Sequence, residues 1–165
     1  MPTARRSRTI AAPAQELWDL VRDPHHLPRW WPRVTRVEDV TLTGTGEADA
    51  FTEVMKTRKG KLVRADFNVI VGDEAERTLT WVQRVEGTPF ATVLKSAETE
   101  FRLTPAAGGA PATEVAIELR QEMAGGSGRH SPFLSLAPRF GGPLVRRAAV
   151  ATLEQALDGL ERISG

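Results

Sequence analysis

The 165-residue chain contains no cysteine, which excludes disulfides, thiolate nucleophiles and zinc sites built on sulfur. No window approaches the run of about 18 apolar residues that a membrane-spanning helix needs. The N-terminus carries Arg5, Arg6 and Arg8 but no apolar stretch after them, so it does not read as a secretory signal. Neither sign of charge dominates: 22 Lys and Arg against 21 Asp and Glu leave a net +1, too little field to draw the chain to nucleic acid. Three histidines are present, His25, His26 and His130; the adjacent His25 and His26 point in different directions on a helix, and no carboxylate lies at the i+3 or i+4 spacing to any pair of them that would suggest a metal site. Tyrosine is absent and Asn68 is the sole asparagine, a bias associated with GC-rich genomes. A bacterial-type cytoplasmic protein is expected, without a metal or other cofactor.

What is present is a helix of unusual length for the chain. From Gly142 to Gly165, Leu144, Val145, Ala148, Ala149, Thr152, Leu153, Ala156, Leu157, Leu160 and Ile163 recur at three- and four-residue steps. Pro143 suits the first helical turn, where its missing N–H costs nothing. Such a stripe needs a broad apolar surface beneath it. Earlier in the chain, Ser7–Ala11 reads as a short strand. Pro13 opens a helix whose apolar face is Ala14, Leu17, Trp18 and Val21. Asp23 can cap a further single turn at Pro24–Leu27, followed by the rigid aromatic run Leu27–Pro32.

From Val34 to Met123 the period becomes two. Strands are predicted over Val34–Leu42, Ala48–Arg58, Leu62–Val71, Arg77–Val85, Ala91–Leu103 and Thr113–Met123. Short turns between them imply an antiparallel meander with one wet and one apolar face. Ala124–Gly142 is the least regular stretch, rich in glycine, with Phe133, Leu134 and Leu136 forming an apolar patch and His130 beside Arg129. No repeat or internal boundary is visible, and one domain over residues 1–165 is expected. The architecture is therefore α+β: an antiparallel sheet of about seven strands gripping the long C-terminal helix, with two short helices between strands 1 and 2.

Three segments carry a family resemblance: Ile10-Ala11-Ala12-Pro13 followed by Leu17-Trp18; Asp23-Pro24 with Leu27-Pro28-Arg29-Trp30-Trp31-Pro32; and Phe101-Arg102-Leu103-Thr104-Pro105 ahead of a loop and Thr113. With the element order, they resemble the START/Bet v 1-like (SRPBCC) helix-grip superfamily, in its polyketide cyclase/dehydrase-like branch. The resemblance implies a curved sheet wrapped around the C-terminal helix, with an elongated apolar cavity between them. Members bind lipids, polyketide intermediates, quinones or hormones, and only some are catalysts. No shared catalytic motif carries over.

Strand parity then names the cavity walls. The sheet supplies Phe51, Met55, Phe67, Val69, Leu79, Trp81, Val93, Phe101, Leu119 and Met123, and Trp31 comes from the aromatic run. Phe133, Leu136, Leu144 and Ala148 come from the segment before the helix and from the helix itself. The competing reading is that these residues fill a core. Small residues on the helix, Ala148, Ala149, Thr152 and Ala156, leave room for a void or let the helix sit close to the sheet. Four polar residues share the inward parity: Glu53, Gln83, Lys95 and Gln121. Glu53 and Lys95 read either as a buried pair, a general acid/base set for cyclisation and dehydration, or as solvent-facing charges beyond a β-bulge. The disagreement between Val93 and Leu94 makes a bulge plausible in that strand.

Three functions fit. The first is a carrier of one small hydrophobic molecule, without nucleic acid or integral membrane partners, as a monomer or homodimer. The second is a polyketide cyclase/aromatase-like enzyme. The third is a co-chaperone-like interaction module without ligand.

Overall fold

The computed structural model describes residues 3–124 and 141–164, with side chains from 145 onward in the second segment. Strand β1 (Thr3–Ile10) is followed by helix α1 (Ala14–Arg22), a 3-10 turn (Pro24–His26) and the single-turn helix α2 (Leu27–Trp30). Strands β2 (Val34–Leu42), β3 (Ala48–Lys56), β4 (Leu62–Asp73), β5 (Thr78–Gln83), β6 (Leu94–Pro105) and β7 (Thr113–Met123) come next, and helix α3 (Gly141–Ile163) closes the chain. All seven strands form one antiparallel sheet in the order β1-β7-β6-β5-β4-β3-β2. This is the expected helix-grip α+β fold: the meander leaves β7 at the far side, where β1 pairs with it.

Local chemistry sets the element ends. The residue before Pro24 avoids helical backbone, so α1 ends at Arg22. Asp23 caps the following turn, its Oδ1 accepting the His25 backbone N–H at 3.0 Å. The helical region expected at Pro24–Leu27 is instead a 3-10 turn running into α2. Pro28, in the first turn of α2, needs no N–H there. The sixth strand begins at Leu94 rather than Ala91, because Pro89–Thr92 coils into a 3-10 turn with the Val93 N–H bonded to the Phe90 carbonyl at 2.9 Å.

Two irregularities change which way side chains face. In β4 the pairing with β5 slips between Val69 and Val71. Val71, on the same sequence alternation as Phe67 and Val69, is 42 % exposed as a result. In β6 the pairing with β7 slips between Leu94 and Ser96, so Lys95 is the bulged residue.

Helix α3 is held at two places. Arg8 on β1 pairs with Glu154 at 3.0 Å and Asp158 at 2.6 Å. At Gly159 the helix runs so close to α2 that an added Cβ would stand 2.3 Å from the Trp30 carbonyl oxygen. Beneath this end of α3 lies the main core, where Leu153, Leu157 and Leu160 meet Leu17, Trp18, Leu27, Trp30, Phe101 and Ile117. A second apolar cluster gathers Val63, Ala65, Val85, Phe90, Val93, Leu94 and Ala97. Met55 and Phe67 pack against both clusters. No helix among the described residues is long and apolar enough to cross a membrane.

Candidate functional site

Between the sheet and the first half of α3 lies a cavity of about 560 Å³. Its sheet side carries Met55, Phe67, Trp81, Gln83, Val93, Leu119 and Gln121, all expected from strand parity, with Trp31 at the end of α2. Helix α3 contributes Arg147, Ala148, Ala149, Ala151, Thr152 and Gln155. Ala148, Ala149, Ala151 and Thr152 are small for a lining helix face. Leu at the same positions would fill the space.

The aromatic residues form one connected group. Trp81 lies 4.6 Å from Phe101, 5.2 Å from Phe51 and 5.8 Å from Trp31 between ring centroids. Phe51 stacks on Phe67 at 5.3 Å with an interplanar angle of 11°. This layering corrects part of the expected wall. Phe101 is covered by Trp30, Trp31 and Trp81, and Phe51 is covered by Phe67 and Trp81, so both belong to the core. Leu79 is buried in the same core and Val69 packs against it, while Met123 packs on the second cluster. None of these five lines the cavity. Phe133 and Leu136 lie outside the described residues, as do His130 and the side chain of Leu144.

Lys95 also departs from expectation. The bulge turns its side chain outward, 71 % exposed, with Nζ 3.1 Å from a Glu122 carboxylate oxygen. The expected Glu53–Lys95 pair does not form. The same bulge brings Leu94 onto the cavity wall beside Val93.

Glu53 does face the cavity. It sits on β3 opposite Val37 and Ala65, is only 2 % exposed, and has no hydrogen-bond or ion-pair partner among the described residues. Burial, acting alone, pushes its carboxyl up to about 8, so it is mainly protonated at neutral pH. A second polar group is left open. Gln83 Nε2 is buried with no partner among the described residues. Gln83 pairs across the sheet with Phe67, and Gln121 pairs with Ala97 on the neighbouring strand. Thr99, between Trp81 and Leu119 in register, adds a hydroxyl to the wall. The site is thus an apolar chamber with a few inward hydrogen-bonding groups, the composition that fixes a guest's orientation.

Sequence patterning missed Arg33, Arg58, Phe90 and Arg147 on the lining. Arg147 had a signal: 147, 151 and 155 form one i,i+4 row beside the 148 and 152 positions. Phe90 is carried in by the 3-10 turn. Among the described residues no cluster of His, Cys, Asp or Glu could hold a metal ion.

A curved antiparallel sheet, a long helix laid across it and a chamber between them define a helix-grip protein. The whole chain, residues 1–165, matches the family described as "Polyketide cyclase / dehydrase and lipid transport", and the protein belongs to that family. No curated protein sequence matches it significantly. Among solved structures it is similar to a START superfamily protein from Mycobacterium smegmatis, with 17 % identity, TM-score 0.75, and coverage of 98 % of this chain and 96 % of that one. It is also similar to the di-domain ARO/CYC BexL of the BE-7585A biosynthetic pathway, with 20 % identity, TM-score 0.70, and coverage of 98 % of this chain and 46 % of that one. The Zhui aromatase/cyclase from Streptomyces sp. R1128 shares 20 % identity at TM-score 0.68, over 97 % of this chain and 93 % of that one. At these identities the likeness is one of fold.

Proposed function

We propose that this protein binds one small hydrophobic molecule in the chamber between sheet and α3, as a single-domain carrier or sequestering protein of the cytoplasm, monomeric or homodimeric. The observation that carries the reading is the chamber itself. Its volume of about 560 Å³ falls within the range of roughly 300–1,000 Å³ usual for small-molecule sites, and Trp31, Phe67, Trp81 and Leu119 give it apolar walls. An open chamber also weighs against a ligand-free interaction module, which has no use for the void. The test is native mass spectrometry of freshly purified protein, followed by denaturing extraction. A stoichiometric apolar molecule is expected, and Ala148→Phe, which fills the chamber from α3, is expected to abolish its retention. Retention unchanged by Ala148→Phe overturns the reading.

Glu53 supports a second reading, a cyclase/aromatase-like enzyme, the activity named for two of the structural neighbours. A carboxyl kept protonated beside a guest donates its proton to a carbonyl oxygen of that guest. The resulting carboxylate then accepts a proton from the adjacent carbon, completing an enolisation. Glu53→Gln is expected to stop such proton exchange on a bound diketone while binding persists. Unchanged exchange overturns the enzymatic reading and leaves the carrier reading standing.

A further inference from the structure

Arginines on the sheet are generally neutralised by neighbours. Arg84 pairs with Asp66, and Arg120 with Glu98, Glu100 and Glu118. The cavity rim differs. Arg33, Arg58 and Arg147 are exposed, line the chamber, and have no ion-pair partner among the described residues. The carboxyl that shares this lining, Glu53, is buried rather than at the rim.

The three arginines come from separate elements: Arg33 from the link between α2 and β2, Arg58 from the turn between β3 and β4, and Arg147 from α3. The first two segments are joined by the Lys56 N–H, which donates to the Arg33 carbonyl at 2.9 Å. Arg33 holds φ at 68°, in the left-handed region that a non-glycine residue adopts at some cost. Three like charges beside one apolar opening repel one another, and the low-dielectric walls focus their field on the entrance. An anion there relieves the repulsion. Arginine's planar fork also matches the oxygens of carboxylate, sulfonate or phosphate.

We propose that the guest is an anionic amphiphile: an apolar body inside the chamber and one acidic group held at the rim by Arg33, Arg58 and Arg147. This deepens the ligand-binding reading and rests on it.

Two dyes of one skeleton separate the two ideas. 8-Anilinonaphthalene-1-sulfonate carries an acidic group, and N-phenyl-1-naphthylamine lacks it. Both are titrated against the full chain, with dye emission excited through the tryptophans, two of which, Trp31 and Trp81, line the chamber. The sulfonate is expected to bind about tenfold tighter at low salt, the scale of one charge-assisted contact in a partly solvated site. That advantage is expected to shrink at high salt through screening, with the neutral dye unaffected. Combining R33Q, R58Q and R147Q is expected to bring the two affinities level without weakening the neutral dye. R146Q, exposed on the same helix but off the lining, is expected to change neither. Thermal melts check that each variant remains folded. Equal affinities in the wild-type protein, or a sulfonate preference that survives the triple substitution, overturn the inference and leave the chamber reading intact. Failure of both dyes to bind a cooperatively melting protein overturns the chamber reading itself.

Discussion

Glu53→Gln is a perturbation whose size follows from where the carboxyl sits. In the fold its pKa rises from 4.5 to about 8 through burial alone. Between those values the native state keeps a proton that the unfolded chain has released. The native state therefore binds more protons, and unfolding free energy falls as pH rises through this window. The protonated carboxyl's contribution is complete below pH 4.5 and lost as pH passes 8. At about 1.36 kcal/mol per unit, the whole span is on the order of 4–5 kcal/mol, and roughly 3 kcal/mol of it is gone by pH 7. Glutamine keeps the shape and never ionises, so this slope disappears. Surface carboxylates do not blur the comparison. Glu100, held low by Arg102 and Arg120, contributes a slope of the opposite sign below its ordinary pKa, and it does so equally in both proteins. The assay is urea unfolding followed by tryptophan fluorescence at pH values from about 5 to 8. The variant and wild type should be nearly equal at the acid end, with the variant more stable by several kcal/mol at the alkaline end and the urea slopes matched. A gap that does not change with pH means that Glu53 is ionised in the fold, and the argument from its burial then fails.

Three further substitutions probe the frame around the chamber. Gly159→Ala places a methyl group 2.3 Å from the Trp30 carbonyl oxygen, a backbone atom that moves only if α2 and α3 separate. A loss of about 1–3 kcal/mol is expected despite alanine's better helix propensity, and a melting temperature at or above wild type refutes the close approach. Leu153→Asp puts an unpaired charge at a position with 0 % exposure, where about 3–5 kcal/mol is at stake. Circular dichroism should show an unfolded or barely folded chain, and a melt close to wild type removes α3 from the core. Trp81→Ala strips ring contacts to Phe51, Phe67, Phe101 and Trp31 while opening the chamber wall. Stability should fall by about 3–5 kcal/mol together with dye affinity. Loss of binding without loss of stability makes Trp81 a wall residue only.

The long helix and the meander were legible because their signals are periodic: three- and four-residue steps in α3, alternation in β7. Periodicity assigns a face, but not a depth. Phe51, Leu79 and Phe101 stand on the inward face of the sheet, yet other aromatic or core side chains cover them. Depth depends on what a neighbouring element lays on top, and only the fold supplies that. Both bulges left a trace: Val93 and Leu94 cannot both be inward on a regular strand, and neither can the consecutive Val69, Ile70 and Val71, where the second slip falls. Nothing in the residue types near Arg33 announces its left-handed backbone, so its place on the rim was invisible.

The position of the chamber follows from how α3 distributes side-chain volume along its length. In its second half Leu153, Leu157 and Leu160 are fully buried, and they seal the helix onto α1, α2 and the sheet. In its first half the positions that line the chamber hold the short side chains of Ala148, Ala149 and Thr152, across from Phe67, Trp81 and Leu119. The sheet answers with Ala97, whose side chain leaves Gln83 and Gln121 standing on either side of it. A helix pinned at Gly159 and at the Arg8 ion pairs cannot tilt inward to close that gap without breaking its own anchors. The void is therefore specified twice, by small residues at one end and by rigid attachment at the other. Enlarging the small residues fills it with the fold intact, whereas loosening the attachment should let the helix collapse into it.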